Sequence, residues 1–477
     1  MIAFTLAEIA DATGGRLALG ASGASSDTVV SGDSQTDSRE LESGQIFFAR
    51  RGEQTDGHQF VGQAIERGAA LLVVEHEVDD RVPQIVVGDA TTALGDLATE
   101  VIRRALTGGQ LRIVGITGSN GKTTTKNLVA AMLDRAGITT VASAKSFNNE
   151  VGGPLTMLRV TSETEALVAE MGASAEGEIA RLTRMAPPEI GVVLSVGLAH
   201  AGEFGGIETT FRTKSEMVRD LPETATAVLN RDDPRVARMA ELTRARVCWF
   251  GQHPEADVRA TNIEPDARGT SFTLVIRTGE VPELTESRPV RFSVLGEHHV
   301  SNALAAAAVG LGFGLSIDDI VESLEATTLA APGRMQVLGG RDDITIINDA
   351  YNASPDSMSA ALKTLALIRR PEGRTVAVLG AMSELGEFSG EEHDRIGLQV
   401  VRLGISELIV IGDAARRLHI SAINEGSWDG ESVFFSDQDA AYAYLTETIR
   451  PSDTVLVKSS NAAGLQRLGD RLGEAFA

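Results

Sequence analysis

The sequence predicts an α/β protein of three domains, each a sheet wound with helices. Two observations lead there. Short β-branched runs alternate with helical stretches over almost all of the 477 residues, the pattern of sheets buried under helices. Breaks at Thr107-Gly108-Gly109 and Pro332-Gly333 divide that alternation into units 1–108, 109–332 and 333–477, in keeping with roughly 150 residues per domain.

The N-terminal unit reads as a small α/β domain. Thr5 caps a short helix, Leu6 to Thr13, which Gly14-Gly15 closes. Gly20 to Ser34 is rich in Gly, Ser and Ala and reads as loop. Strands follow at Ile46–Ala49, Ala70–Val74 and Ile85–Val87, with helices near Phe60–Arg67 and Thr91–Leu106.

The central unit opens on a β-branched run, Ile113 to Ile116, that feeds a loop ending in Gly121-Lys122-Thr123. A helix follows with Leu128, Val129, Met132 and Leu133 on one face. Strand, glycine-spaced loop and helix together make a phosphate loop. Gly118, Ser119, Asn120, Gly121 and Thr124 would cradle phosphate oxygens, Lys122 would reach the terminal phosphates, and the Thr123 hydroxyl would bind Mg²⁺. The spacing departs from the strict pattern, because Ile116 holds the place of the first glycine and Gly115 lies one residue early. A nucleoside triphosphate, ATP, is the ligand this expects. Strands at Ala166–Glu170, Ile190–Val196, Ala225–Leu229 and Val247–Phe250 predict an ATPase-like parallel sheet covered on both faces. Ser271–Ile276 and Val290–Val294 read as a hairpin, and helices at Val300–Gly312 and Asp318–Ala326 close the unit.

The C-terminal unit places strands at Ile344–Asn348, Thr375–Leu379, Leu408–Ile411 and Thr454–Lys458 between helices, a Rossmann-like doubly wound arrangement.

Ligands of parallel sheets sit beyond the carboxyl ends of strands. Glu170 ends one such strand, Asn148-Asn149 follows a short strand near Thr139–Ala142, and His200 follows the strand ending at Val196. Each alone reads as a cap or turn residue. Together with the phosphate loop they can converge on one crevice, where the carboxylate and imidazole suit a divalent cation. Asp349, at the end of the first C-terminal strand, can accept ribose hydroxyls, and Tyr351 can stack on a base. Ser354-Pro355 after them is also a good helix cap and first-turn pair. Lys214 reads from its neighbours as an exposed lysine at a helix start.

Composition narrows the function classes. A net charge of −23 argues against tracking a nucleic-acid backbone or an anionic membrane, while leaving anionic small ligands open. The single cysteine, Cys248, excludes an internal disulfide, fits a reducing compartment and reads as a buried strand residue. The apolar run Ala303–Leu315 is too short to span a bilayer, and Glu8 and Asp11 interrupt any secretory pattern, so a cytoplasmic protein is expected.

The motifs Thr117-Gly118-Ser119-Asn120-Gly121-Lys122-Thr123, Glu170-Met171-Gly172, Ala199-His200 and Lys214-Ser215-Glu216 occur in the order of the Mur ligase family, which the whole chain resembles. Narrower markers are Asp56-Gly57-His58-Gln59-Phe60, Ser146-Phe147-Asn148-Asn149-Glu150-Val151-Gly152, Asn348-Asp349-Ala350-Tyr351-Asn352-Ala353-Ser354-Pro355 and Glu384-Leu385-Gly386-Glu387. Within the family they imply joining of D-alanyl-D-alanine to UDP-N-acetylmuramoyl-tripeptide through an acyl phosphate, in peptidoglycan precursor synthesis. The resemblance implies a first domain for the UDP-muramoyl-peptide, with Ser38, Arg39, Asp56, Gly57, His58, Asn148 and Asn149 on that substrate. It implies a second for ATP, with Glu170 and His200 as metal ligands and Lys214 as a carbamylated lysine, and a third for the amino substrate. Asn302 resembles an adenine contact, Arg334 an arginine that reaches the ATP phosphates, and Asp349 a ribose ligand. A monomer without nucleic-acid or membrane partners is expected. Ala381, where relatives show an acidic residue, and Ser459-Ser460-Asn461, where they read Gly-Ser-Arg, depart from the pattern. Two alternatives stay open: a related ligase adding one amino acid to a muramoyl-peptide or folate, and a phosphate-loop hydrolase.

Overall fold

A computed structural model describes residues 1–477 except 53–54, 79–80, 144–146, 198–205, 267–268, 278–284, 328–331, 426–427 and 429. Its strands form three large sheets, one for each expected unit, and a two-stranded ribbon.

The N-terminal sheet has five strands in the order Arg16–Ala18, Gln84–Val86, Leu71–Val74, Ile46–Phe48, Ser34–Gln35. All neighbours are parallel except the first pair. Leu71–Val74 is buried throughout, because helices cover both faces. The stretch Gly20–Ser34 is not all loop: Val29–Val30 pairs antiparallel with Phe4–Thr5, and Ser34 begins a strand. Two-residue strands carry no alternation for a sequence to display. The long helix Ala90–Thr107 buries Leu94, Leu97, Val101 and Ile102. Its apolar cluster continues without a break into Met157, Leu182 and Met185 of the central unit. Gly95 permits that join, since a Cβ there would stand 2.7 Å from Met185 Cε.

The central sheet has nine strands. Six run parallel from Thr140–Ala142 through Ala166–Glu170, Arg112–Thr117, Ile190–Val193 and Thr226–Asn230 to Arg246–Gly251. Val258–Asp266, parallel to its neighbour, then leads into an antiparallel extension with Gly269–Arg277 and Thr285–Phe292. Val258–Asp266 went unread in the sequence; its polar outer positions alternate with only a few apolar inner ones. Cys248 lies on Arg246–Gly251, and burial pushes its thiol up to about 12, which leaves it inert at neutral pH. Among the described residues no helix is long and apolar enough to cross a membrane.

The C-terminal sheet runs Gln336–Gly339, Thr345–Asn348, Thr454–Lys458, Thr375–Leu379, Glu407–Ile411, Glu431–Phe435. All pairs are parallel except the first. Helices Pro355–Leu367, Ser389–Arg402 and Arg416–Asn424 pack on one face, and Gln438–Thr448 and Gln466–Ala475 on the other. A partly buried ionic network ties the strand starts together. Arg374 donates to Asp453 at 2.7 Å and to Glu407 at 3.0 Å, and both carboxylates are almost wholly buried. The Tyr444 hydroxyl also donates to Glu407, and burial with that bond pushes its pKa up to about 12. Arg374→Ala leaves two buried carboxylates without their cation. It is expected to cost the C-terminal domain about 3 kcal/mol, seen as an earlier urea transition. An unchanged midpoint would show that the network contributes nothing.

Candidate functional site

The phosphate loop is shaped by two backbone positions. Gly118 and Gly121 have φ of 152° and 86°, which side-chain-bearing residues rarely adopt. Gly121 is the N-cap of helix Lys122–Arg135, and a Cβ there would stand 2.3 Å from Asn302 Oδ1. Gly115, the misplaced glycine of the pattern, lies inside the strand. It makes room for Met217 and Pro188, so it serves packing and not phosphate. The loop is tied to the end of the neighbouring strand, where Ser119 N–H donates to Ser195 O at 2.9 Å and Gly197 N–H to Ser119 Oγ at 2.9 Å.

Lys122 folds back across this loop, its Nζ donating to Gly118 O at 2.8 Å. Part of the side chain reaches solvent, yet its ammonium is enclosed. Burial lowers its pKa, Glu170 opposes that shift, and Arg334 adds to it. Thr123 donates its hydroxyl to Glu170 Oε2 at 2.9 Å, and Asn148 Nδ2 donates to Glu170 Oε1 at 2.8 Å. Glu170 is 2 % exposed, so a carboxylate with a hydroxyl on one oxygen and an amide on the other sits at the floor of the crevice. A hydroxyl beside a carboxylate is an oxygen donor set that suits Mg²⁺. Among the described residues no cluster of three His, Cys, Asp or Glu forms, and His200 lies outside the described residues.

The C-terminal domain closes the other side. Arg334 Nη2 donates to Thr123 Oγ1 at 3.2 Å, and its guanidinium lies 4.2 Å from the centre of the Tyr351 ring. Ser354, the N-cap of helix Pro355–Leu367, donates to Asn120 Oδ1 at 3.1 Å, so the two domains meet directly over the loop. Asp349 accepts from Lys458 Nζ at 2.6 Å and from Met335 N–H at 3.0 Å. The resulting cleft, about 260 Å³, is lined by the loop residues Ser119 to Thr124 together with Asn148, Glu170, Asn302, Arg334, Asp349 and Tyr351. The structure thus brings together almost every residue expected at the triphosphate.

Lys214 corrects the reading of an exposed lysine. It lies on helix Ile207–Arg219 and is 2 % exposed. Burial, with the charge of Lys122 as the second cause, lowers its pKa to about 7. Met217 on the same helix packs under Gly115, and Glu216 accepts from the Gly177 and Ala180 N–H groups. Those contacts dock the helix beneath the phosphate-loop strand and carry Lys214 inside.

The N-terminal candidates divide. Ser38 and Arg39 line a separate cavity of about 510 Å³ with Thr36, Asp37 and Gln63. Ser38 Oγ donates to Gln63 Oε1 at 2.5 Å, and Arg39 forks onto Asp37. Asp56, Gly57 and His58 stand outside it. His58 engages both ring nitrogens locally, Nδ1 with Asp56 at 2.6 Å and Nε2 accepting from Glu75 N–H at 2.9 Å. Gly57 lies against Arg50, where a Cβ would meet the Arg50 carbonyl oxygen at 2.7 Å. Asn149 caps the turn into helix Gly152–Met157 by accepting from the Gly152 N–H.

Three cleft features went unread in the sequence. Lys458 is 2 % exposed and pairs with Asp349; a cation ending the apolar strand Thr454–Lys458 is the same signal that marked Glu170. The His298 and His299 rings lie 4.2 Å apart, tilted by 41°, beside Asn302; burial lowers the His298 pKa to about 4 and holds that of His299 well below the ordinary imidazole value. Both are neutral there. Lys126, on the second turn after the loop, donates to Ser143 O at 2.6 Å, and Ser143 Oγ accepts from Glu170 N–H.

Comparison with known proteins finds three family matches in sequence order. Residues 35–101 match the Mur ligase family catalytic domain, 116–310 the Mur ligase middle domain, and 333–461 the Mur ligase glutamate ligase domain. The UDP-N-acetylmuramoyl-tripeptide–D-alanyl-D-alanine ligase of Mycobacterium tuberculosis is 42% identical over 99% of this chain and 98% of its own length. The crystal structure of MurF from Acinetobacter baumannii superposes with a TM-score of 0.86 at 32% identity, covering 99% of both chains. A further structure from the same organism, UDP-N-acetylmuramoylalanyl-D-glutamyl-2,6-diaminopimelate–D-alanyl-D-alanyl ligase, gives 0.83 at 31% identity over 99% of this chain and 98% of that one.

Proposed function

The chain belongs to the Mur ligase family, and from that premise we infer that it joins D-alanyl-D-alanine to UDP-N-acetylmuramoyl-tripeptide, converting ATP to ADP and phosphate, in peptidoglycan precursor synthesis. The observation that carries this is a likeness that runs end to end through all three units, not only through the nucleotide-binding one.

A carboxylate is a poor electrophile, so amide formation in water needs activation. Transfer of the γ-phosphoryl group to the peptide carboxylate forms a new C–O–P linkage and releases ADP. The dipeptide amine then attacks the acyl carbon, and phosphate leaves. The obstacle in the first step is charge, since each like-charged pair at about 4 Å costs roughly 4 kcal/mol at an effective dielectric near 20. Lys122 and Arg334 offset that repulsion from opposite sides of the cleft, one from each domain. Thr123 and Glu170 would hold Mg²⁺, which supplies further positive charge to the phosphates when bound. Asn148 fixes the Glu170 carboxylate, and Asn302 stands beside the neutral pair His298 and His299, a site suited to an uncharged base. The contact of Ser354 with Asn120 roofs the loop and limits the access of water, which would hydrolyse an acyl phosphate.

Within this reading, Ser38 and Arg39 line the seat of the nucleotide sugar, and Lys214 carries a carbamate. The burial of Lys214 and its lowered pKa support the second assignment, because only a neutral amine adds CO₂.

The direct experiment is amine-dependent phosphate release with UDP-muramoyl-tripeptide and ATP, screened over D-alanyl-D-alanine, diaminopimelate, lysine and glutamate. Release with the dipeptide alone is expected. Release with a single amino acid, or ATP hydrolysis without any amine, would replace this reading with one of its rivals. Glu170→Gln in the same assay is expected to raise the Mg²⁺ concentration needed for half-maximal rate at least tenfold, because second-row losses at metal sites already cost that much. An unchanged Mg²⁺ requirement would remove Glu170 from the cation site.

A further inference from the structure

We propose that the Thr117 hydroxyl positions the carbamate on Lys214 by donating to one of its oxygens. The inference rests on the carbamate assignment above and adds the group that holds it. Thr117 ends the strand Arg112–Thr117 and is fully buried. Its Oγ1 is shut off from solvent and has no hydrogen-bond partner among the described residues. Buried hydroxyls are almost always met, so one left over needs an explanation. An atom so enclosed is met by a group on a neighbouring side chain, not by a bulky ligand.

The alternation of the strand decides which neighbour that is. Thr117 shares a face of the sheet with Gly115, two residues back. Helix Ile207–Arg219 covers this face, since a Cβ on Gly115 would stand 2.9 Å from Met217 Sδ. The helix connects the parallel neighbours Ile190–Val193 and Thr226–Asn230, so it runs antiparallel to the strands. Going back from Met217 to Lys214 therefore moves ~4.5 Å toward the carboxyl ends, and going on from Gly115 to Thr117 moves ~6.6 Å the same way. Thr210, Lys214 and Met217 form the buried stripe of that helix, at helical spacing. Met217 is apolar, as is Val193, the register partner of Thr117, and the Thr210 hydroxyl already donates to Gly206 O at 3.3 Å. Lys214 is left opposite Thr117. A separate observation agrees. After burial, the charge of Lys122 is the next cause of the lowered Lys214 pKa, and Lys122 Nζ donates to Gly118 O, one residue beyond Thr117.

The chemistry fits that pairing. The Lys214 Nζ lone pair attacks the carbon of dissolved CO₂. An N–C bond forms, one C–O π pair moves onto oxygen, and the nitrogen gives up a proton to water. The product places two anionic oxygens about 2.3 Å beyond Nζ, which lengthens the reach of the side chain toward the strand. An ammonium is donor only, whereas these oxygens accept, so the hydroxyl proton of Thr117 gains a charged acceptor. Such charge-assisted bonds are the strong ones, and more so away from water. The bond would also fix the carbamate against the strand that leads into the phosphate loop.

The test reads carbamate formation directly, by ¹³C NMR of the full chain titrated with ¹³C-labelled bicarbonate at pH 8, above the Lys214 pKa of about 7. The native chain is expected to show a carbamate carbon that Lys214→Ala lacks. Thr117→Val keeps the β-branched shape without the hydroxyl. It is expected to raise the bicarbonate concentration for half-saturation of that signal about tenfold, the worth of a hydrogen bond to a charged group. Thr117→Ala, a second variant without the hydroxyl, should do the same, and Thr117→Ser should stay close to the native value. Removing an unmet buried hydroxyl does not weaken the unmodified fold, so the urea midpoint of Thr117→Val without CO₂ should match the native one or exceed it. Half-saturation of Thr117→Val at the native concentration, or of Thr117→Ser at that of Thr117→Val, overturns the proposal while the native signal still supports the carbamate. No such signal in the native chain overturns both.

Discussion

Replacing Lys122 by alanine is expected to lower dipeptide-dependent phosphate release by about a thousandfold, with the loss falling on kcat more than on KM. The reason is where the charge sits. The ammonium is held over the loop by Gly118 O, beside Thr123 and across from Arg334, where phosphoryl transfer shifts negative charge toward the leaving oxygen. A cation fixed there stabilises the transition state more than the bound nucleotide, because its position is already set. The fold should survive. Lys122 is the first residue of its helix, alanine is a strong helix former, and removing a cation whose pKa is lowered by burial relieves a desolvation cost. The thermal midpoint should therefore stay within about 2 °C of the native one, since about 1 kcal/mol shifts the midpoint of a large domain by that order. Lys122→Arg should not restore the rate, because the planar fork needs more width than a loop closed by Gly118 and Gly121 provides. A Lys122→Ala variant of near-native rate would remove this residue from the chemistry.

The parts of this fold that the sequence displays are those with dense local signals. Ala166–Glu170, Thr375–Leu379 and Thr454–Lys458 are buried parallel strands, each a continuous run of mostly β-branched or small apolar residues, and their limits are visible in the chain alone. Phe4–Thr5, Val29–Val30, Arg16–Ala18 and Gln336–Gly339 are not visible, since two to four residues carry no period and their pairing is decided by distant partners. Glu431–Phe435 is an edge strand with a mostly half-buried pattern, which weakens the apolar signal that a central strand shows. The site divides in the same way. The phosphate loop is contiguous and was readable. The Arg334–Thr123 contact and the Asp349–Lys458 pair join residues 211 and 109 positions apart, the first by two domains meeting and the second by two strands brought side by side. Lys214 is the sharpest case, because its neighbours Thr213, Ser215 and Glu216 are polar and suggest solvent. All three are buried with it: Thr213 and Ser215 donate back to Thr209 O and Arg212 O of their own helix, and Glu216 accepts from the Gly177 N–H of a neighbouring turn.

Lys214→Ala is expected to abolish most activity, and short carboxylic acids such as formate or acetate should return part of it. The argument starts from an electrostatic conflict. Lys214 and Lys122 are close enough for each positive charge to oppose the other, and burial further penalises the charged form, so the Lys214 pKa falls from 10.5 to about 7. Below pH 7 the amine is protonated in the folded chain; above it the lone pair is available. A neutral amine adds to CO₂, forming an N–C bond and releasing one proton. That step exchanges a cation for an anion beside Lys122 and turns repulsion into attraction. The sign for stability follows separately. Between about pH 7 and 10 the unfolded chain binds the Lys214 proton and the folded chain does not, so the unmodified protein gains stability as pH rises through that window. Enzyme stripped of CO₂ below pH 6 should therefore lose activity and regain it on addition of bicarbonate at pH 8, and intact-mass measurement at pH 8 should show the mass of one CO₂ on the helix Ile207–Arg219. The alanine variant separates the two roles a lysine could have. If the missing group is a carboxylate, a small acid that enters the cavity supplies it and ammonium ions do nothing; if it is an ammonium, the reverse holds, and the carbamate assignment fails.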